Sequence, residues 1–210
     1  MKINFRSKKF IIPLIALVIL ALYLFDSWLK YKEPVRYSSL DDYIIRETPN
    51  GKIVENGKMR MKFNIPNGWA LEREEEGEGS RNNIILTSPD FIPISYRDPQ
   101  SSEGCAIYIY TMKDFNEVSY TGYIEALIER QKNNPTDKES VIDVSGHSAL
   151  KSIYGFPNEL DKGPRYTMSI EVEVPVGNKL YNFQMSYLIA KNRDRCESEF
   201  NKFLETVSIK

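Results

Sequence analysis

YTMSIEVEVPVGNKLYNFQMSYLI, residues 166–189, decides the fold class. Tyr166, Met168, Ile170, Val172, Val174 and Val176 alternate with Thr167, Ser169, Glu171 and Glu173, the period-2 signature of a strand with one apolar face. Gly177-Asn178 is a two-residue hairpin turn. The return strand sets Tyr181, Phe183, Met185, Tyr187 and Ile189 on one face, and Leu180, Asn182, Gln184, Ser186 and Leu188 on the other. A long antiparallel hairpin of this kind needs further strands or helices to cover its apolar face.

Working upstream, Ser148–Tyr154 and Val141–Val144 read as strands joined by the Gly146 turn, with His147 beside it. Tyr120, Tyr123, Ile124, Leu127 and Ile128 repeat at helical spacing, and Asn133-Asn134-Pro135 stops that helix. Cys105, Ile107 and Ile109 alternate with Ala106, Tyr108 and Tyr110, which predicts a strand. Asn83–Thr87 predicts another, and Trp69 to Leu71 begins one after the Pro66-Asn67-Gly68 turn. Met59, Met61, Phe63 and Ile65 alternate with Arg60, Lys62 and Asn64 and open the domain near Lys58. Trp69 is expected in the core. Downstream of the hairpin, a last helix is expected after Asn192. Its stripe is Cys196, Phe200, Phe203, Leu204 and Val207, and Asp194-x-x-Glu197 resembles a capping box. Strands, helix, strands, helix, without regular β-α-β alternation, predict an α+β domain: a mainly antiparallel sheet with helices packed on it.

The order of elements, with Phe63-x-Ile65-Pro66-x-Gly68-Trp69 at the start and Val144-Ser145-Gly146-His147-Ser148-Ala149 at a strand turn, resembles the PsbP-like superfamily. The resemblance covers about Met59 to Ile209. It implies an antiparallel sheet sandwiched by helices and a binding or assembly role, and it implies no catalytic residues. Nothing in the chain marks photosynthesis.

The N-terminus is of another character. Residues 10–25, FIIPLIALVILALYLF, are apolar and uncharged, and the run extends to Leu29. Twenty residues at about 1.5 Å each span a hydrocarbon core of about 30 Å. Lys2, Arg6, Lys8 and Lys9 precede the run, a modest positive-inside bias. The expected organisation is a cytoplasmic basic segment (1–9), a transmembrane anchor (10–29), a stalk (30–57) with a short helix near Ser39–Ile45, and an extracytoplasmic globular domain (58–210). A cleaved signal peptide is the rival, but no A-x-A pattern follows the apolar run.

Charge and motifs narrow the function. Lys+Arg 28 against Asp+Glu 29 leaves net charge −1, which argues against nucleic acid as a partner. Walker A, Gly-x-Ser-x-Gly and His-Glu-x-x-His are absent. His147 is the only histidine, so it has no second imidazole to share a metal, and a turn residue is the simpler reading. Glu72–Gly79 is the densest acidic run and lacks the calcium-loop pattern; it reads as a solvated loop between strands. No cofactor is called for. Cys105 and Cys196 sit on apolar stripes of the sheet and of the closing helix, so a disulfide is possible in an oxidising compartment. Tyr108 and Tyr110 face away from Ile107 and Ile109, as second-face core or as an interaction face. The expected function is a membrane-anchored, extracytoplasmic, non-enzymatic interaction or accessory domain docking on an envelope protein. The alternative is a domain that binds a small molecule or ion at the tyrosine face or the acidic run.

Overall fold

A computed structural model describes residues 17–23, 36–49, 51–75, 82–93, 103–113, 120–136, 138–157 and 166–210. The chain divides into two compact units, Met1–Pro34 and Val35–Lys210. In the first, residues 17–23 are helical with exposed side chains. The rest of the expected anchor, residues 10–16 and 24–29, and the basic segment 1–9 lie outside the described residues. Among the described residues no helix is long and apolar enough to cross a membrane.

The second unit is built from two antiparallel sheets. In chain order its strands are β1 (Arg36–Tyr37), β2 (Tyr43–Thr48), β3 (Gly51–Asn56), β4 (Met61–Asn64), β5 (Ala70–Glu75), β6 (Asn82–Thr87), β7 (Ala106–Lys113), β8 (Glu139–Val144), β9 (His147–Pro157), β10 (Tyr166–Val176), β11 (Lys179–Leu188) and β12 (Ser208–Ile209). The large sheet runs β5-β6-β7-β11-β10-β9-β8, with β1 also paired to β7; the small sheet runs β12-β4-β3-β2. The long hairpin forms in the register its alternation requires, from Thr167 opposite Leu188 to Val176 opposite Lys179. Gly177 turns it with φ +60.

Among the described residues, two helices cover the large sheet. The mid-chain helix, Tyr120–Asn133, lies on one face. The closing helix, Ile189–Thr206, packs with the small sheet over the other. Ile107, Ile109, Ile170, Val172, Val174, Phe183 and Met185 of the large sheet meet Val54, Met61 and Phe63 of the small sheet and Phe200, Phe203 and Leu204 of the closing helix. Alternation along residues 59–65 holds throughout: Met59, Met61, Phe63 and Ile65 are buried, and Arg60, Lys62 and Asn64 are exposed. Trp69 packs only partly buried against this core, so its indole is less enclosed than the sequence suggests.

Buried hydroxyls join the elements. The Tyr43 and Thr111 side chains hydrogen-bond at 3.0 Å, and the Thr111 hydroxyl donates to Ser38 Oγ at 2.7 Å. Tyr181 OH donates to the Met59 carbonyl at 2.6 Å. Burial pushes both phenols up to about 12, partly offset by the Thr111 and Asn56 hydrogen bonds at Tyr43 and by the Arg60 charge at Tyr181. Unfolded tyrosine titrates near 10. Because the folded values are raised, their contribution is fully present below about pH 10 and is lost as pH rises through about 12. Denaturant unfolding across that window should therefore show falling stability, and Tyr43→Phe with Tyr181→Phe should flatten the fall. An unchanged slope in the double variant would refute this.

Several expectations are corrected. The stretch read as a stalk, 30–57, contains β1, β2 and β3, and the compact unit begins at Val35, not near residue 58. Its strands were hard to read because β2 exposes Ile44, Ile45, Arg46 and Glu47 in succession, which erases alternation. The short helix is a single 3-10 turn, Leu40–Asp42, capped by Ser39, and Tyr43 already begins a strand. Glu72–Glu75 of the acidic run belong to β5 and are not loop; residues 76–80 lie outside the described residues. The closing helix begins at Ile189, before Asn192, so Asp194 is inside it and is no cap. Glu197 instead accepts from Tyr187 OH at 2.7 Å and from Arg193 Nε at 3.1 Å. A second sheet, closed by β12 on β4, was not foreseen.

Candidate functional site

The face of the large sheet opposite the main core has two halves. Where the mid-chain helix lies on it, Tyr110, Met112, Leu150 and Leu180 pack with Ile124 and Ile128 into a second apolar cluster. The Tyr37 and Tyr110 rings meet edge-to-face at 6.0 Å. Tyr110 is therefore buried core, which removes it from the expected interaction face.

The other half is polar. Strand registers set one row straight across seven strands: Glu72, Ile85, Tyr108, Gln184, Glu171, Ser152 and Glu139. In the neighbouring row Ala106, Ser186, Ser169 and Tyr154 follow one another. Side chains two apart on a strand share a face, so the two rows form one surface. Tyr108, Gln184 and Glu171 are half-buried, and Tyr154 is exposed. Gln184 Nε2 donates to Ser169 Oγ at 2.7 Å, and Asn182 Nδ2 donates to Glu171 Oε1. One buried atom beside this surface, Asn182 Oδ1, has no hydrogen-bond partner among the described residues. Buried polar groups without a partner are costly and call for an explanation.

Burial raises the Tyr108 phenol, and the Glu74 and Glu72 carboxylates raise it further. Tyr154 is raised first by burial and then by Glu171, Glu173 and Glu139, against a lowering interaction with Ser152. Both phenols therefore stay protonated at neutral pH and offer O–H donors and π faces in an acidic field. Such a surface suits a polar or cationic group, which a ring face and carboxylates attract together. Among the described residues no three His, Cys, Asp or Glu side chains converge to hold a metal ion. His147 is the half-buried first residue of β9, opposite Val144.

Tyr108 was legible as a second-face residue from alternation. Tyr154 was not singled out, because its place beside Ser169 follows only from the β9–β10 register. Away from this face, Cys105 and Cys196 are joined as a disulfide, with Cα atoms 5.7 Å apart, and tie the start of β7 to the closing helix. The same junction carries the Arg195–Asp90 ion pair at 2.7 Å and the Ser88 Oγ–Asp90 hydrogen bond at 2.8 Å, which hold the Asp90 carboxyl below its ordinary range. Gly104, φ +79, fits here because a Cβ would lie 2.6 Å from the Phe91 backbone.

The class that these features define is an α+β domain of antiparallel sheets with helices packed on them. No protein-family model matches the sequence, and no curated protein is similar to it. Solved structures with a similar chain path include a Bacteroides thetaiotaomicron VPI-5482 protein, with a TM-score of 0.44 and 17% identity over 72% of this chain. The chain spans only 45% of that protein's length. LpqN of Mycobacterium tuberculosis, involved in cell envelope biogenesis, matches with a TM-score of 0.44 and 13% identity, covering 86% of this chain and 94% of LpqN. Cyanobacterial PsbP (CyanoP) from Synechocystis sp. PCC 6803 matches with a TM-score of 0.42 and 13% identity, covering 75% of this chain and 91% of its own.

Proposed function

We propose that this chain is a membrane-tethered, extracytoplasmic, non-enzymatic binding domain of PsbP-like type that docks on an envelope protein through the polar half of its large sheet. The row from Glu72 through Tyr108 to Glu171 carries this reading, since with Tyr154 of the neighbouring row it presents phenols among carboxylates on the polar half of the sheet face. The tether rests on the apolar run 10–29 and the basic residues before it. An exported location is supported by the Cys105–Cys196 disulfide, because such bonds persist in oxidising compartments. The PsbP-like assignment rests on the Phe63–Trp69 motif, the helix between strands and the closing helix.

The test is a photoreactive phenylalanine analogue placed at position 154 in the full chain, irradiated in intact cells. A discrete adduct that Glu171→Lys abolishes is expected. Adducts no more discrete than those from the same probe at Tyr123, on the exposed side of the mid-chain helix, would overturn the docking face. Topology is read separately. Protease added to spheroplasts should digest the domain from outside, and protection until lysis would reverse the orientation.

The alternative, a small cationic ligand on the same face, is favoured by the carboxylates that raise Tyr108 and Tyr154. Native mass spectrometry separates the two: a retained small mass supports the ligand, and its absence with a protein adduct supports docking.

A further inference from the structure

The outer face of the small sheet gathers cations that folding alone does not explain. Ser208 stands opposite Lys62 in the β12–β4 pair, and the Lys210 N–H donates to the Arg60 carbonyl at 3.1 Å, extending the ladder by one residue. Met61 and Ile209 point into the core, so Arg60, Lys62, Ser208 and Lys210 share the other side. Two like charges directly opposite across an antiparallel pair are destabilising, and Arg60 faces Lys210.

The backbone at Arg60 adds a second cost. Its φ is +55, the left-handed region in which glycine or asparagine is cheaper than arginine. The neighbouring cations, by contrast, are matched: Arg46 with Glu55 at 2.9 Å, Lys52 with Glu47 at 3.6 Å and Lys58 with Asp42 at 2.6 Å. Glu55 stands across from Lys62, but its carboxylate meets Arg46. Among the described residues, no carboxylate side chain lies within ion-pair distance of Arg60, Lys62 or Lys210. With Ser208, Gly57, Asn56 and the Arg46-paired Glu55 they line an open groove of about 340 Å³. Strained backbone together with unmatched charge is the pattern of a site kept for a ligand.

We propose that this groove binds a phosphate-class anion. Arg60 supplies a planar fork of donors for two oxygens, Lys62 and Lys210 supply point charges, and the Ser208 hydroxyl supplies a further donor. The inference rests on the groove and is independent of the sheet-face reading. A lipid headgroup and free phosphate present the same chemistry.

The full chain in neutral-detergent micelles is titrated by calorimetry with inorganic phosphate and, in a second arm, with short-chain phosphatidylglycerol. Saturable binding to either ligand is expected, weakening as salt is added. Binding in both arms marks the phosphate as the recognised group, and binding of the lipid alone marks a headgroup site. Arg60→Gly deletes the fork and relieves the backbone, so affinity should fall at least about fivefold while the melting temperature holds or rises. Lys62→Gln, at an exposed strand position, should weaken binding similarly and serves if Arg60→Gly folds poorly. If neither anion binds, the proposal fails. Binding that survives unchanged in both variants overturns it equally.

Discussion

Removing the Cys105–Cys196 disulfide is expected to cost about 4–5 kcal/mol of stability, from the loop-entropy relation applied to a sequence separation of 91. The bond links two parts of the core that are distant in sequence, so without it the unfolded chain regains the freedom of a long loop. Both cysteines are buried, so Cys105→Ala with Cys196→Ala leaves a small apolar gap and no stranded hydroxyl. Urea unfolding of the oxidised protein, the same protein after reduction, and the double variant makes the comparison. The oxidised form should unfold at clearly higher urea, and the other two should lie close together. The Arg195–Asp90 pair at the same junction is half exposed and does little to substitute for the covalent link. Coincident midpoints for all three would remove the disulfide from the account of stability.

Phe203→Ala should destabilise the fold by about 3–5 kcal/mol, the range for emptying a large buried aromatic site. Phe203 is 1% exposed and stands where three elements meet. Its ring lies 5.5 Å from Phe63 of the small sheet, 5.8 Å from Phe183 of the large sheet and 6.3 Å from Phe200 one turn earlier. Truncation removes the edge-to-face contacts to both sheets at once, and the rigid strands on either side cannot close over the cavity. The same measurement on Tyr123→Ala, exposed on the mid-chain helix, should change stability by less than about 0.5 kcal/mol. A loss below about 1 kcal/mol at Phe203 would mean that the closing helix is not seated between the sheets.

Legibility in the sequence followed burial. The β10–β11 hairpin could be read because one face of each strand is apolar and the other polar along nearly its whole length. The mid-chain helix could be read because Ile124 and Ile128 bury one stripe while Glu125 and Glu129 stay in solvent. β2 could not, because four successive residues are exposed and no face is marked. The start of the closing helix was hidden because Ile189 continues the alternation of β11, so the strand pattern runs past the strand's actual end. β12, two residues long, carries too little pattern to announce itself.

By itself the sequence determined the antiparallel α+β class, the strand faces, the positions of both helices to within a few residues, and the apolar phase of both cysteines. These follow from local periodicity, which is set by backbone geometry and the side chain's preference for water or core. Only the tertiary structure decided the rest. It divided the strands into two sheets and brought Cys105 within 5.7 Å of Cys196. It laid the mid-chain helix over Tyr110 but not over Tyr108, and it aligned Glu72, Tyr108 and Glu171 in one row. Such juxtapositions depend on register and on where each helix comes to rest. Those are fixed by the packing of residues far apart in the chain, and no local spacing encodes them.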